Sequence, residues 1–195
     1  MTENLNDLYT FVYRGQLTEE ALDGADRRAK QDNQSEYENY WSLLSVDELD
    51  EQHVQSANTM AAVYVAVAAF ENSVRELISR TLLDEVGEDW WTHCVSKNVR
   101  DAAESRRDSE EKVRWHTQRG QDPIHYTMLP HLLNIIRNNH QPHFAPLIHD
   151  IEWAASVFEI IDRCRNVIMH SGALNQRDVA RLGTFIRDWN SQVTV

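Results

Sequence analysis

MAAVYVAVAAF, residues Met60 to Phe70, lies inside a run from Val46 to about Leu83 that contains neither glycine nor proline. Within that run Val54, Ala57, Ala61, Val65, Ala68, Asn72, Leu77 and Ile78 recur near the 3.6-residue period of an α-helix, and Asp47 stands where a cap belongs. The run therefore predicts one long spine helix. Its middle is apolar nearly all round, so neighbours are expected to cover it on several sides. The stretch is well short of the roughly 20 residues that span a bilayer. It reads as a buried core helix, and no membrane segment is expected.

The rest of the chain agrees with a helical reading. Six glycines and four prolines in 195 residues leave few sites for hairpins, and 42% hydrophobic content is enough for one sizeable core. Downstream of the spine, mixed charges from Lys97 to Gln118 suit an exposed helix, and Gly120 to Pro123 a loop. Residues 125–139 predict another helix, broken off by Pro142 and Pro146. Asp150 to His170 predicts a helix with Trp153, Val157, Ile160, Ile161, Cys164 and Ile168 near one side, ended by Ser171-Gly172. A last helix starts at Asn175 or Gln176 and runs to Trp189. Residues 1–46 carry short apolar groups between polar stretches, with Thr18 placed to cap, and predict two or three modest helices. The division is thus an N-terminal helical extension, 1–46, and a helical domain, 47–195.

Charge narrows the function classes. Nineteen Lys and Arg against 31 Asp and Glu give a net charge of −12, which repels polyanions over the surface as a whole. A general nucleic-acid binder is disfavoured, whereas an enzyme that meets RNA in one local basic cleft is compatible, because charge is felt within about a Debye length. With only Cys94 and Cys164, and no charged-then-apolar leader in MTENLNDLYT, a reducing cytoplasm is the expected location.

The segment that carries chemistry is Asp162-Arg163-Cys164-Arg165-Asn166-Val167-Ile168-Met169-His170-Ser171-Gly172, at the end of the penultimate helix. Asn166 and His170 are i,i+4 and share a face, and Arg163 and His170 are one heptad apart. Arg165 lies about 140° from His170 on an ideal helix, so the two converge only through the long side chain, a bend near Gly172, or a second subunit. RNA cleavage by its own 2′-hydroxyl needs a base, an acid and positive charge on the phosphorane. Histidine titrates near neutrality and serves the first two needs, while Arg donates a planar fork to phosphate oxygens.

Arg165, Asn166 and His170 match RNxxxH, and the segment resembles the motif of the HEPN superfamily (higher eukaryotes and prokaryotes nucleotide-binding domain). Arg163 also satisfies the allowed spacing; Arg165 is preferred because Asn166 follows it. The resemblance covers about residues 55–192 and includes the upstream Phe70-Glu71-Asn72-Ser73-Val74-Arg75-Glu76-Leu77-Ile78 segment. It implies an all-α, HEPN-like antiparallel helical bundle and a metal-independent endoribonuclease that needs no cofactor. Its catalytic residues would be Arg165, Asn166 and His170, with Arg163 and Glu71 as supporting residues. It further implies a homodimer through the motif-bearing helix, an RNA substrate, a toxin or antiviral defence role, and a restraining antitoxin or other defence-complex subunit as partner. The alternative is a non-catalytic HEPN-like adaptor that binds a nucleotide or a partner protein within a larger complex.

Other features read more plainly. His125, His131, His140, His143 and His149 cluster in sequence, but without a nearby Cys pair they are a poor match for structural zinc. Trp90, Trp91, Trp115, Trp153 and Trp189 offer rings for base stacking, although aromatics at helical spacing belong mostly to cores. Arg100, Arg106, Arg107, Lys112, Arg114 and Arg119 lie among acidic residues and suit a solvated face.

Overall fold

The structure, a computed structural model, describes residues 14, 15, 18 and 36–193, and every regular element among them is helical. Most of the helices expected over residues 1–46 lie outside the described residues. Thr18, expected to cap, instead donates its hydroxyl to the Arg14 carbonyl at 2.8 Å, a bond made one helical turn back.

The chain forms two compact units, Met1–Gln55 and Ser56–Val195. In the first, helix α1 spans residues 36–43, with the Tyr37 and Trp41 rings 5.4 Å apart. A 3-10 turn, Val46–Glu48, follows the left-handed Ser45, and Asp47 accepts the Trp41 indole N–H at 3.0 Å. Asp47 is thus not the cap of the spine helix. That part falls to Asp50, whose carboxylate accepts from the Gln52 and His53 amides at 3.0 and 3.3 Å, and α2 runs from Glu51 to Val86. The spine starts later than its periodicity indicates because the side chain that reaches the free amides, not the first apolar residue, decides where a helix begins.

In the second unit the elements are α3 (Trp90–Cys94), α4 (Lys97–Glu111), a 3-10 turn (Pro123–Tyr126), α5 (Leu129–Asn138), a π-helical turn (His140–Phe144), α6 (Ile151–Met169) and α7 (Gln176–Val193). The charged helix ends at Glu111, before Gln118, and the expected 125–139 helix resolves into a 3-10 turn and α5. α5 packs on α6, and α6 on α7.

Contrary to the reading of MAAVYVAVAAF, one face of that stretch is open. Val63, Val67 and Phe70 are buried, while Ala61, Ala62, Tyr64, Val65 and Ala69 are exposed. Small and aromatic side chains hide the amphipathic pattern there, because alanine scores as apolar on either face. Beyond it, Val74, Ile78, Leu82, Ile135, Ile136, Phe144, Ile148, Val157 and Ile161 complete the core. At its centre Trp189 meets Phe70 and Phe158 edge to face, 5.6 and 5.3 Å between ring centres, and lies parallel to Trp153 at 6.3 Å. Asn139, buried, donates to the Cys94 and Ile135 carbonyls at 2.8 and 2.7 Å and ties the end of α5 to α3. No helix among the described residues is long and apolar enough to cross a membrane.

Candidate active site at the end of α6

α6 places the motif. Asp150 caps its start by accepting from the Glu152 and Trp153 amides at 2.9 and 3.1 Å. Its other end closes with the amide of Gly172 on the Val167 carbonyl at 2.8 Å and that of Ser171 on the Ile168 carbonyl at 3.1 Å. This pair of bonds is a Schellman closure whose left-handed residue is Ser171, at φ 59°, and not the glycine. Gly172 is required for another reason: a Cβ there would lie 2.8 Å from the Val167 side chain and 2.9 Å from its carbonyl oxygen. His170 is the C-cap residue, its side chain exposed at the mouth of this turn.

The expected site residues separate into two sets. Arg165 turns inward, with 22% of its side chain exposed, and its Nε lies 3.4 Å from Oε2 of the buried Glu71. The other oxygen of Glu71 takes a charge-assisted hydrogen bond from Arg75. Arg75 in turn donates to the Thr127 carbonyl at 3.2 Å, so α2, α6 and the segment after the 3-10 turn meet at one carboxylate. One carboxylate between two guanidiniums leaves a formal charge of about +1 at the site. The terminal nitrogens of Arg165 make no hydrogen bond or ion pair among the described residues.

Asn166 and His170 form the second set, both exposed on the outer side of the helix end. Asn166 donates to Asp162 at 3.3 Å, and no side-chain hydrogen bond or ion pair links Arg165, Asn166 and His170 to one another among the described residues. Arg163 points outward, pairing with Glu159 at 2.5 Å, and lines a hollow of about 270 Å³ between α6 and α7 with Cys164, Asp178 and Arg181. It does not join Arg165. Burial, with the Asp178 charge added, pushes the Cys164 thiol up, and burial does the same to Cys94. Both thiols therefore stay protonated near neutral pH and are poor nucleophiles.

Sequence reasoning overlooked Arg75 as a member of this site, although Glu71 and Arg75 are i,i+4 on one helix and that spacing is its signal. Thr127 carried no such signal, because a backbone carbonyl accepts whatever its side chain is. The histidines do not gather: His140 Nε2 lies 2.7 Å from the Ile148 carbonyl, while His131 Nδ1 accepts the Met128 amide at 3.2 Å. Burial, followed by the nearby Arg106 charge, lowers the His131 pKa. No group of three or more His, Cys, Asp or Glu side chains placed to hold a metal occurs among the described residues. None of the family models, curated proteins or solved structures compared with the chain matches it.

Proposed function

We propose that the chain is a metal-independent endoribonuclease of the HEPN type, built as a HEPN-like antiparallel bundle and acting as a homodimer through α6. The observation that carries the reading is the pairing of Arg165 with the buried Glu71 through Nε, which leaves its terminal nitrogens for a phosphate, five residues before an exposed His170. In the reaction the RNA 2′-oxygen attacks phosphorus as its proton passes to one imidazole, the P–O5′ bond breaks, and a second imidazole protonates the departing oxygen. Arg165 stabilises the charge that gathers on the phosphorane. The products are a 2′,3′-cyclic phosphate and a 5′-hydroxyl. A second copy supplies the second His170, and Val167 and Met169, apolar and exposed beside the motif, are natural contacts for that copy. The resemblance extends this to a cytoplasmic toxin or defence effector held by a restraining partner.

The test is cleavage of a mixed RNA pool in EDTA by wild type, His170→Ala and Arg165→Ala, with the 3′ ends of the fragments identified. Cyclic phosphate from wild type and a loss of a hundredfold or more in His170→Ala, with unchanged circular dichroism, are the expected results; about 10²–10⁴ is the usual contribution of an acid–base group. Equal cutting by His170→Ala would sink the proposal. The adaptor reading is favoured by one observation, that Arg165 already has a carboxylate beside it and fills an ordinary structural role. Saturable nucleotide binding by wild type without RNA turnover selects that reading.

A further inference from the structure

Trp115 is the most exposed large apolar side chain among the described residues, at 86%. The other tryptophans of this unit are otherwise placed: Trp189 is buried, and Trp90, Trp91 and Trp153 pack against the core. Trp115 sits in the loop between α4 and the 3-10 turn, and its exposure is held in place at both ends of that loop. Glu110, in the last turn of α4, accepts the Arg119 amide at 3.2 Å with one oxygen and pairs with Arg119 Nε at 2.5 Å with the other. The Gly120 carbonyl accepts the Tyr126 hydroxyl at 3.1 Å. Gly120 also lies so close to the His125 ring that a Cβ there would meet it at 2.7 Å. Between these anchors the His116 amide bonds the Val113 carbonyl at 3.1 Å, a turn that carries Trp115 at its tip. A compact loop with joined ends is a frequent functional device.

Its charge is the reverse of the molecule's. From Lys112 to Gly120 there are Lys112, Arg114, Arg119 and His116 and no acid, in a chain of net charge −12. Arg119 is paired with Glu110, while Lys112 and Arg114 form no ion pair among the described residues. Asp108 and Glu111 share a surface hollow of about 440 Å³ with these two cations without forming an ion pair with either, and the acid-free run begins at Lys112. The Trp115 ring meets only the His116 ring among the described aromatic rings, 5.7 Å away and edge to face, and an exposed indole with two cations close in the chain is what an unpaired base and its phosphates require: the ring stacks on any base, and the cations take the backbone. A screened negative surface elsewhere leaves such a local patch free to act.

We propose that the Val113–His116 turn binds single-stranded RNA, with a base stacked on Trp115 and adjacent phosphates on Lys112 and Arg114. The choice of RNA as the polyanion rests on the ribonuclease reading. The test uses the full chain carrying His170→Ala, so that the RNA survives, and a fluorescent unstructured 12-nucleotide RNA followed by anisotropy. Adding Trp115→Ala is expected to weaken binding about tenfold or more, and Trp115→Phe to restore most of it. Lys112→Gln with Arg114→Gln is expected to lower the slope of log K against log salt by about 1.4, at roughly 0.7 for each phosphate contact on a single strand. A fully paired duplex of the same sequence is expected to lose the Trp115 dependence. Absence of RNA binding, binding indifferent to Trp115→Ala, or Trp115-dependent binding to anionic lipid vesicles but not to RNA overturns the proposal. The two readings fail separately: Trp115-dependent binding in a protein that never cuts RNA removes the ribonuclease reading alone, and cleavage with Trp115-independent binding removes this one alone.

Discussion

Phe70 and Glu71 are consecutive residues of α2, both buried, and they face opposite kinds of interior. Phe70 meets Phe158 and Trp189, 5.6 Å away in both cases, whereas Glu71 meets the guanidiniums of Arg75 and Arg165. One helical step of about 100° is enough to pass from one to the other. The aromatic side is stabilised by volume: the contacts are many and individually weak, so what matters is that space is filled. The ionic side is stabilised by pairing: removing one member leaves the others charged and without compensation. The first arrangement stabilises the fold, while the second also orients one particular nitrogen fork, and a site is built from the second kind.

The largest expected effect tests the aromatic side. Trp189→Ala removes the ring that meets Phe70, Trp153 and Phe158 and is expected to cost about 4 kcal/mol in urea unfolding, since Phe and Trp truncations in cores cost roughly 3–5. A loss under about 1 kcal/mol would mean that the core closes around the gap and that its shape is unimportant. Glu71→Gln comes next. It keeps the shape and one acceptor but leaves Arg75 and Arg165 facing each other without a counter-charge, and about 2 kcal/mol is expected. The two losses differ in their response to salt: the Glu71→Gln deficit is expected to shrink between 0.05 and about 1 M NaCl as the repulsion is screened, and the Trp189→Ala deficit to hold. Equal salt dependence would erase the distinction between the two sides.

The smallest effect concerns His131, which lies on neither side but near the Arg106 charge. Its folded pKa is lowered by burial and by that arginine, and its Nδ1 accepts the Met128 amide. The unfolded chain therefore binds the extra proton first as pH falls below about 6.5, and the contribution of this group is present above that pH and lost beneath it, down to the folded pKa. His131→Gln keeps an acceptor at this capping position and does not titrate. Melting between pH 7.5 and 5 is expected to fall less in the variant than in wild type, and identical pH profiles would show that His131 is not proton-linked to folding.

The same contrast explains what was legible in advance. The α6 helix, its start near Asp150 and its apolar side follow from spacing, because periodicity is local. Arg165, Asn166 and His170 are named by a motif in a handful of consecutive residues. That Arg165 turns inward and Arg163 outward was not legible: both are arginines on one helix, and only the position of Glu71, far away in the chain, separates them. The open face of Met60–Phe70 was likewise hidden, since alanine fits a buried or an exposed surface equally well.

By itself the sequence determined that this protein is helical, where its α6 helix begins, which residues stand at that helix's end, and that its surface is strongly negative, because composition and short-range spacing dictate these things. Only the tertiary structure decided that Glu71 gathers Arg75 and Arg165, that Ser171 and not Gly172 makes the left-handed step, and that Trp115 alone of the tryptophans of its unit stands in solvent. The physical reason is that ion pairs, close approaches and burial are relations between residues distant in the chain, and no local pattern records which partner a side chain will meet.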